Sequence, residues 1–149
     1  MTLTITPDHF TEIIAHARAA APRECCGLVG GTEDLRARTV YRLRNIAADN
    51  QVTYEAAPED LFAAQRAMRE RGEQLIAIYH SHPRATDPSP SETDVRLAYY
   101  PTAVYFIVGL GDQEPCLRAF HISEPAGTRE RKPCRGMQNS WAGDFYAMR

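Results

Sequence analysis

Four cysteines, Cys25, Cys26, Cys116 and Cys134, occur in no C-x-x-C spacing, so the chain offers neither a zinc ribbon nor a thioredoxin-like redox pair. A disulfide framework is not expected in 149 residues that show no sign of export. That sign is missing: Met1-Thr2-Leu3-Thr4-Ile5-Thr6-Pro7 has no charged leader followed by an apolar run, which makes the cytoplasm the expected compartment. No long apolar stretch interrupts a mean hydropathy of −0.42, so no membrane span is expected. A basic surplus is lacking too. With a formal net charge of −2 and a pI near 6.2, the chain has no electrostatic footprint for nucleic acid. No internal repeat appears. The chain is 44% hydrophobic and 24% charged over 149 residues, which describes one compact domain with enough chain to bury a core.

Residues 7–20 set Phe10, Ile13, Ile14 and Ala17 on one stripe behind Pro7, and predict a helix packed on a sheet. Residues 26–30 read as a strand closed by a Gly30-Gly31 turn, 38–43 as a half-exposed alternating strand, and 52–55 as a further short strand. A second amphipathic helix over 58–71 ends at Gly72. Strands are predicted at 75–79, 104–108 and 117–122, and a third helix opens at Ser91. This order implies an α/β fold, a curved mixed sheet flanked by helices. After Ser123 the punctuation by Pro125, Gly127, Pro133, Gly136 and Gly143 divides the chain into a domain over 1–123 and an extension over 124–149. The extension reads as irregular unless Trp141, Phe145 and Tyr146 dock it on the domain or on a neighbouring subunit; the oligomeric state stays open, a homodimer included. His9, His16 and His121 fall on predicted helices or strands and read as structural.

The chemistry concentrates elsewhere. Tyr79-His80-Ser81-His82-Pro83 follows an apolar, β-branched run, so His80 and His82 stand at a strand end and, two apart, project to one side. Ser91-Glu92-Thr93-Asp94 follows Pro88 and Pro90, with Ser91 as N-cap and Asp94 in the first helical turn. Two imidazoles and a carboxylate can hold one zinc ion with a fourth position left for water, the arrangement of a catalytic site. A hydrolase also needs a base, and Glu24 in Pro22-Arg23-Glu24-Cys25-Cys26-Gly27 stands at the threshold of an apolar strand. Taken singly, each residue has a duller reading: polar turn histidines, a capping box, a loop glutamate. A cysteine protease gains no ground, because its histidine partner is better used by the metal.

Glu24 before Cys26-Gly27-Leu28-Val29, His80-Ser81-His82-Pro83 and Pro90-Ser91-x-x-Asp94 together resemble the motif of the JAMM (MPN+) zinc metallopeptidases. The likeness runs through residues 3–122 and is greatest to small free-standing prokaryotic members. It implies the JAMM/MPN, cytidine-deaminase-like architecture, Zn2+ held by His80, His82 and Asp94, Glu24 as general base and acid, and Ser91 as donor to the oxyanion. It also implies a partner: a ubiquitin-like or sulfur-carrier protein cleaved after a Gly-Gly tail. Eleven residues lie between His82 and Asp94, one more than the family's usual spacing, and a surface loop absorbs such an addition at small cost. Two other classes compete. A non-catalytic scaffold of the same fold would normally have lost a ligand position, and none is lost here. A zinc deaminase would need Pro-Cys-x-x-Cys, which Pro115-Cys116 and Pro133-Cys134 do not supply.

Overall fold

The computed structural model describes residues 3–100, 102–122 and 146–148. After β1 (Leu3–Ile5), Thr6 starts α1 (Pro7–Ala20) with a reciprocal capping box: its side chain accepts from the His9 N–H, and the His9 ring accepts from the Thr6 N–H. β2 (Cys26–Gly31) and β3 (Ala37–Leu43) follow, then α2 (Pro58–Arg71), which stops where Gly72 enters the left-handed region at φ 66°. The chain continues through β4 (Gln74–His82), a five-residue α3 (Glu92–Arg96), β5 (Val104–Gly109) and β6 (Cys116–Phe120). A last strand, β7 (Tyr146–Met148), pairs antiparallel with β1. The segment carrying Trp141 and Phe145, like the rest of 123–145, lies outside the described residues.

The main sheet has the order β3-β2-β4-β5-β6 and is mixed, β4 and β5 being its parallel pair. Two cores sandwich it. On one face α1 packs Phe10, Ile13, Ile14 and Ala17 against Val29, Ala77, Tyr79 and Phe106; on the other, Ala64 and Met68 of α2 and Val95 of α3 cover Leu28, Ile78, Tyr105 and Ile107. From Ala77 through Ile78 to Tyr79, β4 thus alternates between the two cores, and this alternation aims its C-terminal end. Gly27 is forced by close approach, since a Cβ there would collide with the Tyr79 ring crossing it.

Two elements differ from expectation. Gly30 and Gly31 make no turn but continue β2 through a shift of register, and Gly31 is needed there because a Cβ would run into the carbonyl of Arg36; the reversal falls at 32–36, with Leu35 at φ 62°. Residues 52–55 form no strand. They belong to the connection from β3 to α2, where the Asn45 side chain takes the Thr53 carbonyl and the Glu55 N–H, and the backbone of Ile46 and Asp49 takes the Glu55 carbonyl and the Val52 and Thr53 N–H groups.

Candidate metal centre

His80 pairs with Ile107 of β5 and with Cys26 of β2, so it sits inside the sheet near the end of an internal strand with neighbours on both sides. His80 and His82 face the α2 and α3 side. Between them Ser81 turns to the α1 side, fully buried, and its Oγ accepts the Cys25 N–H at 2.8 Å. Ser91 then caps α3: its side chain accepts from the Asp94 N–H at 3.0 Å, while Asp94 Oδ2 accepts from the Ser91 N–H at 2.8 Å. A five-residue helix has little stability of its own. The box fixes where Asp94 points.

Asp94 Oδ2 lies 3.1 Å from His80 Nε2 and 3.1 Å from His82 Nε2, and the two ring nitrogens are 3.2 Å apart. Three lone-pair atoms therefore form a nearly equilateral triangle. A tetrahedral zinc with bonds of about 2.0–2.1 Å spaces its ligands about 3.3 Å apart, so the donor set and its dimensions fit that ion. Glu24 also has an atom within 4.8 Å of both histidines and could compete as third ligand. Distance decides between them, since Glu24 Oε1 is 3.9 Å from His82 Nε2, farther than Asp94 from either ring. Glu24 faces the triangle without closing it.

The surroundings explain the charge states. Burial alone would raise the Asp94 carboxyl, but the bonds from His80 and His82 and the Ser91 N–H hold it well below the usual carboxylate range. His82 is pulled down by burial and pushed up by Asp94 and Glu24, and ends above its ordinary value. Glu24, 3% exposed, is raised by burial to about 7, against the pull of His82 and with the push of Asp94. Its Oε1 is buried without a hydrogen-bond partner, and so is His80 Nδ1. The His80 ring is instead held by Tyr54, stacked at 4.7 Å and 29°. Of the four side chains His82 is the most open, at 21%, which marks the side of approach.

A family model described as prokaryotic homologs of the JAB domain matches residues 6–123. The chain belongs to this family. Similar proteins include the desampylase of Haloferax volcanii, 37% identical over 110 residues and covering 70% of this chain and 78% of that one. The CysO-cysteine peptidase of Mycobacterium tuberculosis is 34% identical over 129 residues, with 86% and 88% covered. A probable TtuB-protein conjugate cleaving protease of Thermus thermophilus is 34% identical over 113 residues, with 76% and 71% covered. Among solved structures, a Desulfitobacterium hafniense protein superposes with a TM-score of 0.71 at 35% identity, covering 85% of this chain and 88% of that one.

In this JAB domain the 83–90 loop is anchored rather than free. Pro88 is fully buried, Ala85 is tied by its N–H to His82 O and by its carbonyl to the Gly111 N–H, and Asp87 pairs with Arg118. Cys25 and Cys26 are buried at the head of β2, and burial pushes the Cys25 thiol up to about 11, so neither acts as a thiolate. His16 meets the Tyr79 hydroxyl at 2.7 Å, on the far face from the site, and burial with the Arg42 charge lowers it to about 4. Among the described residues no helix is long and apolar enough to cross a membrane. Asn45 and Tyr54 escaped sequence reasoning, because nothing local separates an ordered asparagine from any turn asparagine.

Proposed function

We propose that this chain is a zinc-dependent peptidase that hydrolyses the bond after the C-terminal Gly-Gly of a ubiquitin-like carrier protein, specifically a sulfur carrier, with residues 1–123 as its catalytic domain and 124–149 as an extension. The observation that carries the reading is the triangle of His80, His82 and Asp94 at 3.1–3.2 Å, faced by a buried Glu24 oxygen that has no hydrogen-bond partner.

His80, His82 and Asp94 would hold the ion. When bound, zinc lowers the pKa of a coordinated water from about 16 to about 7. Glu24, whose buried Oε1 faces the triangle without a hydrogen-bond partner, takes a proton from the attacking water and delivers it to the leaving amine nitrogen. The acyl carbon gains the hydroxyl and the amine gains the hydrogen. The Ser91 oxygen already accepts the Asp94 N–H, which leaves its own proton to donate to the developing oxyanion. A cleft of about 390 Å³ beside Asp94, walled by Tyr54, Thr93, Leu97, Tyr99 and Tyr105, gives an extended tail a place to lie. Glycines suit the reacting position because they lack a Cβ and pass close to backbone. The names of the relatives, a CysO-cysteine peptidase and a TtuB-conjugate protease, support a small carrier protein as substrate.

The test offers the zinc-loaded protein carriers ending in Gly-Gly-X and Ala-Ala-X and follows intact masses. The Gly-Gly carrier alone should be cut, leaving a free diglycine carboxylate. Equal cleavage of both would remove the Gly-Gly specificity, and bound zinc with no hydrolysis of any peptide would leave a scaffold.

A further inference from the structure

We propose that Asn45 is a positioning residue for this reaction: its side-chain amide holds the backbone of Glu24 in place and, through the same loop, holds the ring of Tyr54 against His80. The inference rests on the reading of Glu24 as the base. Glu24 precedes β2, so no strand partner secures its peptide groups. Its N–H donates to Asn50 O at 2.7 Å, and its carbonyl accepts from Asn45 Nδ2 at 3.0 Å. The same Nδ2 faces Thr53 O at 3.1 Å and Asn50 O at 3.4 Å, while Oδ1 accepts from the Ala47 N–H at 3.0 Å and the Glu55 N–H at 3.1 Å.

An amide offers two N–H groups and two lone pairs, so Asn45 is fully used. With carbonyls on one side and N–H groups on the other, its orientation is settled as well. Aspartate would set an anionic oxygen against the Glu24 and Thr53 carbonyls, and an apolar side chain would leave all these groups unpaired. Thr53 and Glu55 bracket Tyr54, whose ring stacks on His80 at 4.7 Å. Since His80 Nδ1 has no hydrogen-bond partner, the ring is oriented by Asp94 at its other nitrogen and by that stacking on its face. One amide, touching neither substrate nor reacting atoms, thus holds the loop that flanks the base and the loop that flanks a ligand.

Asn45→Gln, which keeps the amide on a stem one methylene longer, and Asn45→Ala are compared with wild type in the full chain. By hydrogen exchange, the amides of Glu24, Ala47 and Glu55 should lose protection by roughly 10-fold, while Leu28 and Val29 within β2 keep theirs. On a Gly-Gly-X carrier, kcat should fall by about 10- to 100-fold with zinc content retained and KM within about 2-fold. In a Glu24→Gln background the loss of kcat should shrink by at least about 5-fold, because the base they position is gone and only the Tyr54–His80 contact remains. Equal losses in both backgrounds, an unchanged kcat, protection lost throughout β2, or failure of both variants to fold would each overturn the proposal. A wild-type chain that cuts nothing would sink the function instead, and the exchange pattern would still show whether Asn45 holds the Glu24 backbone.

Discussion

Replacing Glu24 by its amide should make the metal-free protein more stable, by an amount that depends on pH. Glu24 is 3% exposed, and burial moves its carboxyl from 4.5 to about 7, with His82 opposing and Asp94 adding. At about 1.4 kcal/mol per pH unit of displacement, an ionised Glu24 costs the fold at most about 3 kcal/mol. The sign follows from proton counting. Between pH 4.5 and about 7 the native state keeps a proton that the unfolded chain has released, so stability falls as pH rises. The cost is absent below that window and complete above it. Glu24→Gln has no proton to lose and escapes it. Urea unfolding of the chelator-treated wild type and variant at several values from pH 4.5 to 8 should show a stability difference that grows in favour of Gln by up to about 3 kcal/mol, at an unchanged m-value. Groups remote from Glu24 cancel in that difference, and His82, which Glu24 itself pushes up, adds a smaller change of its own. An advantage that is flat with pH, or a variant that loses ground as pH rises, would refute the account of Glu24 as a carboxyl held against its preference to be neutral.

His80→Ala, His82→Ala and Asp94→Ala should each lower zinc content measured after equilibrium dialysis, while Glu24→Gln retains it; full occupancy in a His82→Ala, Asp94→Ala double variant would contradict the ligand assignment. Ser91→Ala should keep zinc, lose on the order of 10² to 10³ in kcat and lose about 1 kcal/mol of stability with its N-cap, and an unchanged kcat would confine Ser91 to capping. Gly27→Ala should cost roughly 1–3 kcal/mol in urea unfolding, because the added methyl meets the Tyr79 ring; a neutral result would show that the ring moves freely.

The two long helices were legible because local signals mark both their ends: Pro7 and Pro58 at the starts, Gly72 at one stop, apolar stripes between. The strand of the histidines reads locally as ending at Tyr79, since His-Ser-His has no strand preference. Pairing with β5, Ser81 to Val108 and His82 to Gly109, carries it three residues further. Residues 52–55 have strand composition, yet the Asn45 amide and the backbone of Ile46 and Asp49 take polar groups of their backbone, a choice no local window contains. Likewise α3 opens at Ser91 as its capping box marks, but stops at Arg96 with no local stop signal there. The structure does bring Glu24, His80, His82 and Asp94 together, and three of them lie close in sequence, which is why their spacing could speak. Asn45 and Tyr54 carry no such spacing, because their partners are set by the folded loop.

His80, His82 and Asp94 all belong to one stretch of fifteen residues, whereas Glu24 reaches them only through the pairing of β2 with β4, Cys26 opposite His80. Metal retention and turnover therefore report on different lengths of chain. On the proposed ligand set, zinc content reports on the 80–94 segment and on the contacts that seat His80. Hydrolysis certifies, in addition, that an antiparallel pairing across more than fifty residues of sequence has found its register. A loaded but silent sample should be sought first as a fault in assembly upstream, and refolding trials would be scored by rate and not by metal content.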